Sequence, residues 1–215
     1  MKIKIIIISL ILISIILTPG CITSGNVEFN DMEPTVKDNL IMMKVSFKIR
    51  GTDDVTFTLY NLDEKIQDSE TSVDREENTI FLRINYPEQG HYKVEARKNE
   101  DVIGTYKEKF DGPNLTIKDV NYEIVNNELH VKGIEYENYG DMPTSYLKIK
   151  FTVNEIFKNL QFKSPQVVEA NHLYLNEFDP VIFDDIEINN NYELKVEIYD
   201  THAEIADRKI MEITT

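Results

Sequence analysis

One thiol and one crowd of carboxylates are the groups in this 215-residue chain whose types and spacing suggest chemistry. Cys21 is the sole cysteine; it follows Gly20 directly and precedes Ile22, Thr23, Ser24 and Gly25. A thiol placed directly after a cleavage point can be alkylated by a lipid, and the small polar residues behind it make a flexible tether. With no second cysteine, an intrachain disulfide is excluded, so an exported domain must stand on core packing alone. The densest carboxylates are Asp184, Asp185 and Glu187, with Asp179 nearby. Two carboxyls held about 5 to 10 Å apart in a cleft would suit glycoside hydrolysis. The same hard oxygens could instead cup Ca²⁺, although the run lacks EF-hand spacing. A solvated acidic loop is the plainer expectation.

Other reactive groups are thinly spread. His91, His130, His172 and His202 lie 30 or more residues apart, and none has the close i, i+2 or i, i+4 neighbour of a local metal motif. Each is expected on a surface or an edge strand. No Gly-x-Ser-x-Gly elbow occurs, and with Cys21 committed to the anchor no cysteine remains for covalent catalysis. No cofactor motif is present, and the chain is expected to be no enzyme. Tyr136, Tyr139, Tyr146, Tyr174, Phe178 and Phe183 are candidates to line a binding face, but strand aromatics are expected first as half-buried cross-strand partners. Asn114-Leu115-Thr116 is the one N-glycosylation sequon, in a turn between two blocks of strands.

The thiol takes its meaning from what precedes it. Lys2 and Lys4 introduce an apolar run from Ile5 to Leu17, followed by Thr18, Pro19 and Gly20. A run of about thirteen residues falls short of the roughly 20 that span a bilayer as a helix, so a cleaved export signal fits better than a permanent span. The organisation expected is a signal over 1–20, a tether over 21–30 with a lipidated Cys21, and sandwiches over 31–111 and 112–215.

The formal net charge is −15, and residues 1–20 hold Lys2 and Lys4 but no acid, so their removal takes it to −17. Such a shell repels phosphate backbones, and no basic stripe is evident along the sequence, so nucleic acid is not an expected partner.

Hydrophobic alternation supplies the elements. Val45, Phe47 and Ile49 alternate with polar residues, as do Val55, Phe57 and Leu59, then Ile80, Leu82 and Ile84, then Tyr92, Val94 and Ala96. Short strands at roughly 10-residue intervals predict a sandwich or barrel. After Asp111-Gly112-Pro113-Asn114 the pattern resumes, with Leu147, Ile149, Phe151 and Val153 as its clearest strand. Glu155 to Ala170 is the weakest stretch, and admits a short helix at Ile156 to Leu160 or an irregular excursion. A faint repeat sets Gly90-His91-Tyr92-Lys93-Val94 against Asn190-Asn191-Tyr192-Glu193-Leu194, one hundred residues on. A period of that size is a tandem of domains.

These residues resemble known families. Glu88 to Val94 resembles the start of strand F in immunoglobulin-like sandwiches, with Tyr92 as the tyrosine corner and Val94 where antibody-type domains carry cysteine. Asn138-Tyr139-Gly140-Asp141-Met142-Pro143 with the strand from Leu147 to Asn154 is similar to CARDB-type, fibronectin-III-like modules. The Gly20-Cys21 junction resembles archaeal-type lipoprotein signals; it departs from the bacterial lipobox in the placing of Leu17 and Pro19. The resemblances imply an all-β chain of two tandem immunoglobulin-like antiparallel sandwiches, anchored on the extracytoplasmic face of the cell membrane. They imply a binding, adhesion or scaffold role toward a protein or a surface polymer. An accessory subunit of a membrane complex, such as a transporter, and a surface hydrolase with an acidic site are the alternatives.

Overall fold

The computed structural model describes residues 27–50, 54–61, 63, 65–72, 78–187 and 189–214, and every helix-or-strand element among them is a strand. The first set is β1 (Val27–Lys37), β2 (Leu40–Ile49), β3 (Val55–Tyr60), β4 (Ile66–Ser72), β5 (Thr79–Arg83), β6 (Gly90–Lys98) and β7 (Asp101–Phe110). Antiparallel pairing gathers them into a three-stranded sheet, β1-β2-β5, and a four-stranded sheet, β4-β3-β6-β7. The second set is β8 (Leu115–Val125), β9 (Glu128–Asn138), β10 (Thr144–Val153), β11 (Ile156–Val168), β12 (His172–Phe183), β13 (Asn191–Asp200) and β14 (Ile205–Thr214). It repeats the plan as β12-β9-β8 and β11-β10-β13-β14. The class is all-β, with two tandem immunoglobulin-like sandwiches.

Period-two alternation buries one side of each sheet. Met43, Val45 and Phe47 of β2 meet Phe57 and Leu59 of β3 in one core, with the Phe47 and Phe57 rings 4.3 Å apart. The other core joins Val131 and Ile134 of β9 to Ile149 and Phe151 of β10 and to Val196 and Ile198 of β13. Fully burying one such side chain contributes about 1.5–3 kcal/mol.

Both sandwiches carry a tyrosine corner. The Tyr92 hydroxyl accepts the Glu88 N–H at 3.0 Å and donates to the Tyr86 carbonyl at 3.2 Å. The Tyr192 hydroxyl accepts the Glu187 N–H at 2.7 Å. The left-handed backbone near them is not in register, however. Gly90 has φ 148, whereas in the second copy the positive angle falls on Asn189, at φ 67.

Three local expectations change. Export signal and Cys21 lie outside the described residues; of the stretch 21–30 expected as tether, residues 27–30 belong to β1, and Val27 and Phe29 are core residues. The stretch from Ile156 is neither helix nor excursion; it is β11, paired along β10 through a hairpin in which Asn154 and Glu155 take φ 47 and 69. Two consecutive left-handed residues match the right-handed twist of a hairpin. In β10 a register shift between Tyr146 and Lys148 carries Leu147 out of phase, so Tyr146 fills the core position beside Ile149.

Candidate functional site

Among the described residues, those singled out for chemistry do not converge. Asp184 ion-pairs with Lys158 at 3.9 Å, and the Glu187 carboxylate accepts from Asn190 Nδ2 at 2.7 Å. Asp184 and Asp185 border a hollow of about 170 Å³ that Asp179 and Glu187 do not line. Among the described residues no group of three or more His, Cys, Asp or Glu is placed to hold a metal ion. The histidines are dispersed: His91 is exposed on β6, His130 Nε2 meets Glu128 at 2.8 Å, His172 packs on Tyr174, and His202 on Tyr86. Asn114 is exposed at the sequon, with its N–H held by Asn138 Oδ1 at 2.9 Å.

The aromatics are chiefly core. Tyr146 is fully buried and donates to the Tyr136 hydroxyl at 3.0 Å, while Asn176 Nδ2 donates to Tyr146 at 2.8 Å. Burial pushes both phenols above their ordinary value. Phe178 packs on Phe151, and Phe183 is buried. Tyr139 is the exception, nearly half exposed beneath Lys118.

The segment Asn138 to Pro143 builds the junction between the sandwiches. Asn138 is fully buried; its Oδ1 accepts the N–H groups of Asn114 and Gly140, and its Nδ2 donates to the Met142 carbonyl. Met142 inserts into the core of the first sandwich. A Cβ on Gly140 would stand 2.0 Å from the Gly112 carbonyl oxygen, so only glycine permits that approach.

The outward sheet faces are sorted by charge. On β4-β3-β6-β7 the register sets Ile66, Tyr60, Lys93 and Lys107 in one row. Ser69, Thr58, Glu95 and Thr105 form the next, and Thr71, Thr56, Arg97 and Val102 the one after. His91 and Lys109 pair beyond Lys93 and Lys107. Glu95 is held by Lys93 at 3.0 Å and Arg97 at 2.8 Å. Burial raises its carboxyl, and hydrogen bonds from Arg97 and Lys93 outweigh that, leaving it below the usual carboxylate range.

The matching face of the second sandwich reuses the device. Row partners Asn159, Lys150, Glu197 and Arg208 cross β11-β10-β13-β14. The Glu197 side chain is 3% exposed beneath Arg208 at 2.6 Å, Lys195 at 3.5 Å and Lys150 at 3.9 Å. Burial raises this carboxyl too, and the Arg208 hydrogen bond with the nearby cations carries it below its ordinary value. In each sandwich a lysine lies on a tyrosine of this face, Lys93 on Tyr60 at 4.4 Å and Lys148 on Tyr199 at 3.9 Å.

The face of β12-β9-β8 has the opposite sign. Leu175, Glu135 and Asp119 form one row, and Leu173, Glu137 and Thr116 another. Lys118 pairs with Glu137 and His130 with Glu128. The basic stripe that sequence reading missed is therefore present, because Lys93 and Arg97 come from β6 and Lys107 and Lys109 from β7, and only the pairing of the strands brings them together. The signal within reach was Lys93-x-Glu95-x-Arg97, three charges at the period of one strand face.

No protein-family model matches the chain, and no curated protein matches it. Among solved structures it is similar to a two-domain fibronectin type-III segment of chicken tenascin, at 10% identity and TM-score 0.34 over 89% of this chain and 98% of that one. The BSP domain of a biofilm-associated protein gives 12% identity and TM-score 0.32 over 88% of this chain and 30% of that one. The FN1–FN3 domains of chicken CNTN1 give 13% and 0.29 over 89% and 67%.

Proposed function

We propose that this chain is a non-catalytic binding, adhesion or scaffold module, held on the extracytoplasmic face of the cell membrane by a lipid on Cys21. The observation that carries the binding role is the sorting of charge onto separate sheet faces, cationic on β4-β3-β6-β7 and acidic on β12-β9-β8. A chain of net charge −15 that keeps a compact cationic face maintains a local field of the opposite sign, which steers and orients a partner. The likeness of Asn138 to Pro143 to CARDB-type, archaeal surface modules supports the same role, as does the export pattern before Cys21. Asn114, exposed beside the junction, is the proposed glycosylation site.

A crosslinked pull-down of the full-length protein from native membranes, beside Cys21→Ser, tests the reading. Wild type is expected in the membrane fraction and the variant released. One stoichiometric membrane partner, lost with the variant, would redirect the role to an accessory subunit. Retention of Cys21→Ser in the membrane would overturn the anchor.

A further inference from the structure

The crevice between the sandwiches holds two adjoining hollows, of about 420 Å³ and about 270 Å³. Tyr86 of the first sandwich and Ser145, Thr201 and His202 of the second line both. The Tyr86 and His202 rings stand 4.5 Å apart, and Tyr86 is 48% exposed. Ligand sites favour such interfaces, where a few polar groups converge on a concave, partly apolar wall.

Charge divides the two hollows without overlap. Among the described residues, Arg83 is the one lysine or arginine bordering the larger hollow, and no Asp or Glu borders it. Leu40 and Val167 border the same hollow. Glu88, Asp200 and Glu204 border the smaller one, with no lysine or arginine beside them. In a chain of net charge −15, a concave wall with a cation and no acid runs against the composition.

The walls are braced in the absence of any ligand. The Tyr86 carbonyl accepts from the Tyr92 hydroxyl at 3.2 Å. Asp200 Oδ1 accepts the N–H groups of His202 and Glu204 at 2.8 and 2.9 Å, which shapes the turn that carries both. Backbone held in this way is preorganised, which lowers the entropic cost of binding.

We propose that this crevice binds a short peptide with free ends. Its carboxylate pairs with Arg83, its C-terminal side chain packs on Leu40 and Val167, and its α-ammonium lies among Glu88, Asp200 and Glu204. A guanidinium holds a carboxylate through two parallel hydrogen bonds, and an ammonium donates three. Ser145 and Thr201, shared by both hollows, offer hydroxyls to the peptide groups between the ends. The proposal rests on the binding-module reading and gives it a ligand class, at a site apart from the charged sheet faces. An anionic sugar would use Arg83 alone and leave the acidic hollow without a role.

Isothermal titration calorimetry of the full-length chain in nonionic detergent tests this with the tripeptide Ala-Gly-Leu, its C-terminal amide and its N-acetyl form. The free tripeptide is expected to bind, and each blocked form to bind about tenfold or more weakly. Arg83→Gln should cost as much, and amidation should then cost little more, because both remove one pairing. Glu88→Gln combined with Glu204→Gln should absorb most of the effect of acetylation in the same way. These side chains are exposed, and the backbone bonds at all three positions are left in place; each variant is checked for an unchanged melting transition. No binding at millimolar tripeptide overturns the proposal, as does binding indifferent to amidation or acetylation, or a loss on Arg83→Gln that adds in full to that of amidation. None of these outcomes depends on Cys21 or on the sheet faces, so failure here leaves the anchored-module reading standing.

Discussion

Asp141 reaches back across the junction to the chain that leaves β7. Its carboxylate accepts the Gly112 N–H at 3.0 Å and the Asp111 N–H at 2.9 Å. Gly112 takes φ 79 there, and Gly140 packs on its carbonyl, so Gly140 and Asp141 of one short segment fix the turn between the sandwiches. Hydrogen bonds to an ionised group contribute about 1.5–3 kcal/mol each. Asp141→Ala is therefore expected to lower stability by about 2 kcal/mol and to broaden urea unfolding as the sandwiches uncouple. An unchanged midpoint and slope would count against a fixed junction.

The tyrosine corners predict a matched pair of effects. Tyr92→Phe leaves the Glu88 N–H without its acceptor, and Tyr192→Phe does the same to Glu187. Each should cost about 1 kcal/mol in denaturant unfolding with little change in far-ultraviolet circular dichroism. A loss confined to one variant would show that only that corner bears on stability.

The corner at Tyr92 was legible in the sequence, with Tyr192 only as its counterpart one hundred residues on, because a tyrosine near the start of a strand and an aliphatic two further on are local facts. The strands of β2, β3, β5 and β6 were legible for the same reason, through alternation of single residues. The run β11 was not: Phe157, Asn159 and Gln161 face outward while Lys158, Leu160 and Phe162 are more covered, and this mixed chemistry blurs the period. Tyr146 replaced Leu147 in the core through a bulge, which no apolar pattern announces. The charged faces were hidden by distance along the chain, since Glu95 with Thr105 and Glu135 with Asp119 become neighbours only by strand pairing.

Glu197 should confer sensitivity to acid. Its folded-state carboxyl lies below the ordinary value, so its stabilisation is complete above the unfolded value of about 4.3 and is lost as pH falls through the folded one. Glu197→Gln leaves Lys150, Lys195 and Arg208 without the carboxylate they share, and is expected to cost about 2 kcal/mol at pH 7. Thermal melts should then show the gap between wild type and variant narrowing below pH 4. A gap constant with pH would contradict the ionic role.

Glu108 should act with the opposite sign. Burial, then the charge of Asp31, raise its carboxyl above its ordinary value against a hydrogen bond from Tyr106 that lowers it, Asp141 adds to the rise, and Oε2 is buried without a partner among the described residues. A raised folded value means that stability is present below the unfolded value and is lost as pH rises through the folded one. Glu108→Gln is expected to raise Tm at pH 7, with the gain vanishing near pH 4. A variant less stable than wild type at pH 7 would show that the ionised carboxylate is needed.

Display of the two sandwiches from a membrane rests, as proposed, on a lipid attached to Cys21. Intact-mass and peptide mass spectrometry of the protein purified from its native membranes measures this directly. A lipid anchor predicts a chain beginning at Cys21 and heavier than its sequence by the mass of attached lipid. A chain still carrying residues 1–20, or one that ends at an unmodified Cys21, would contradict it.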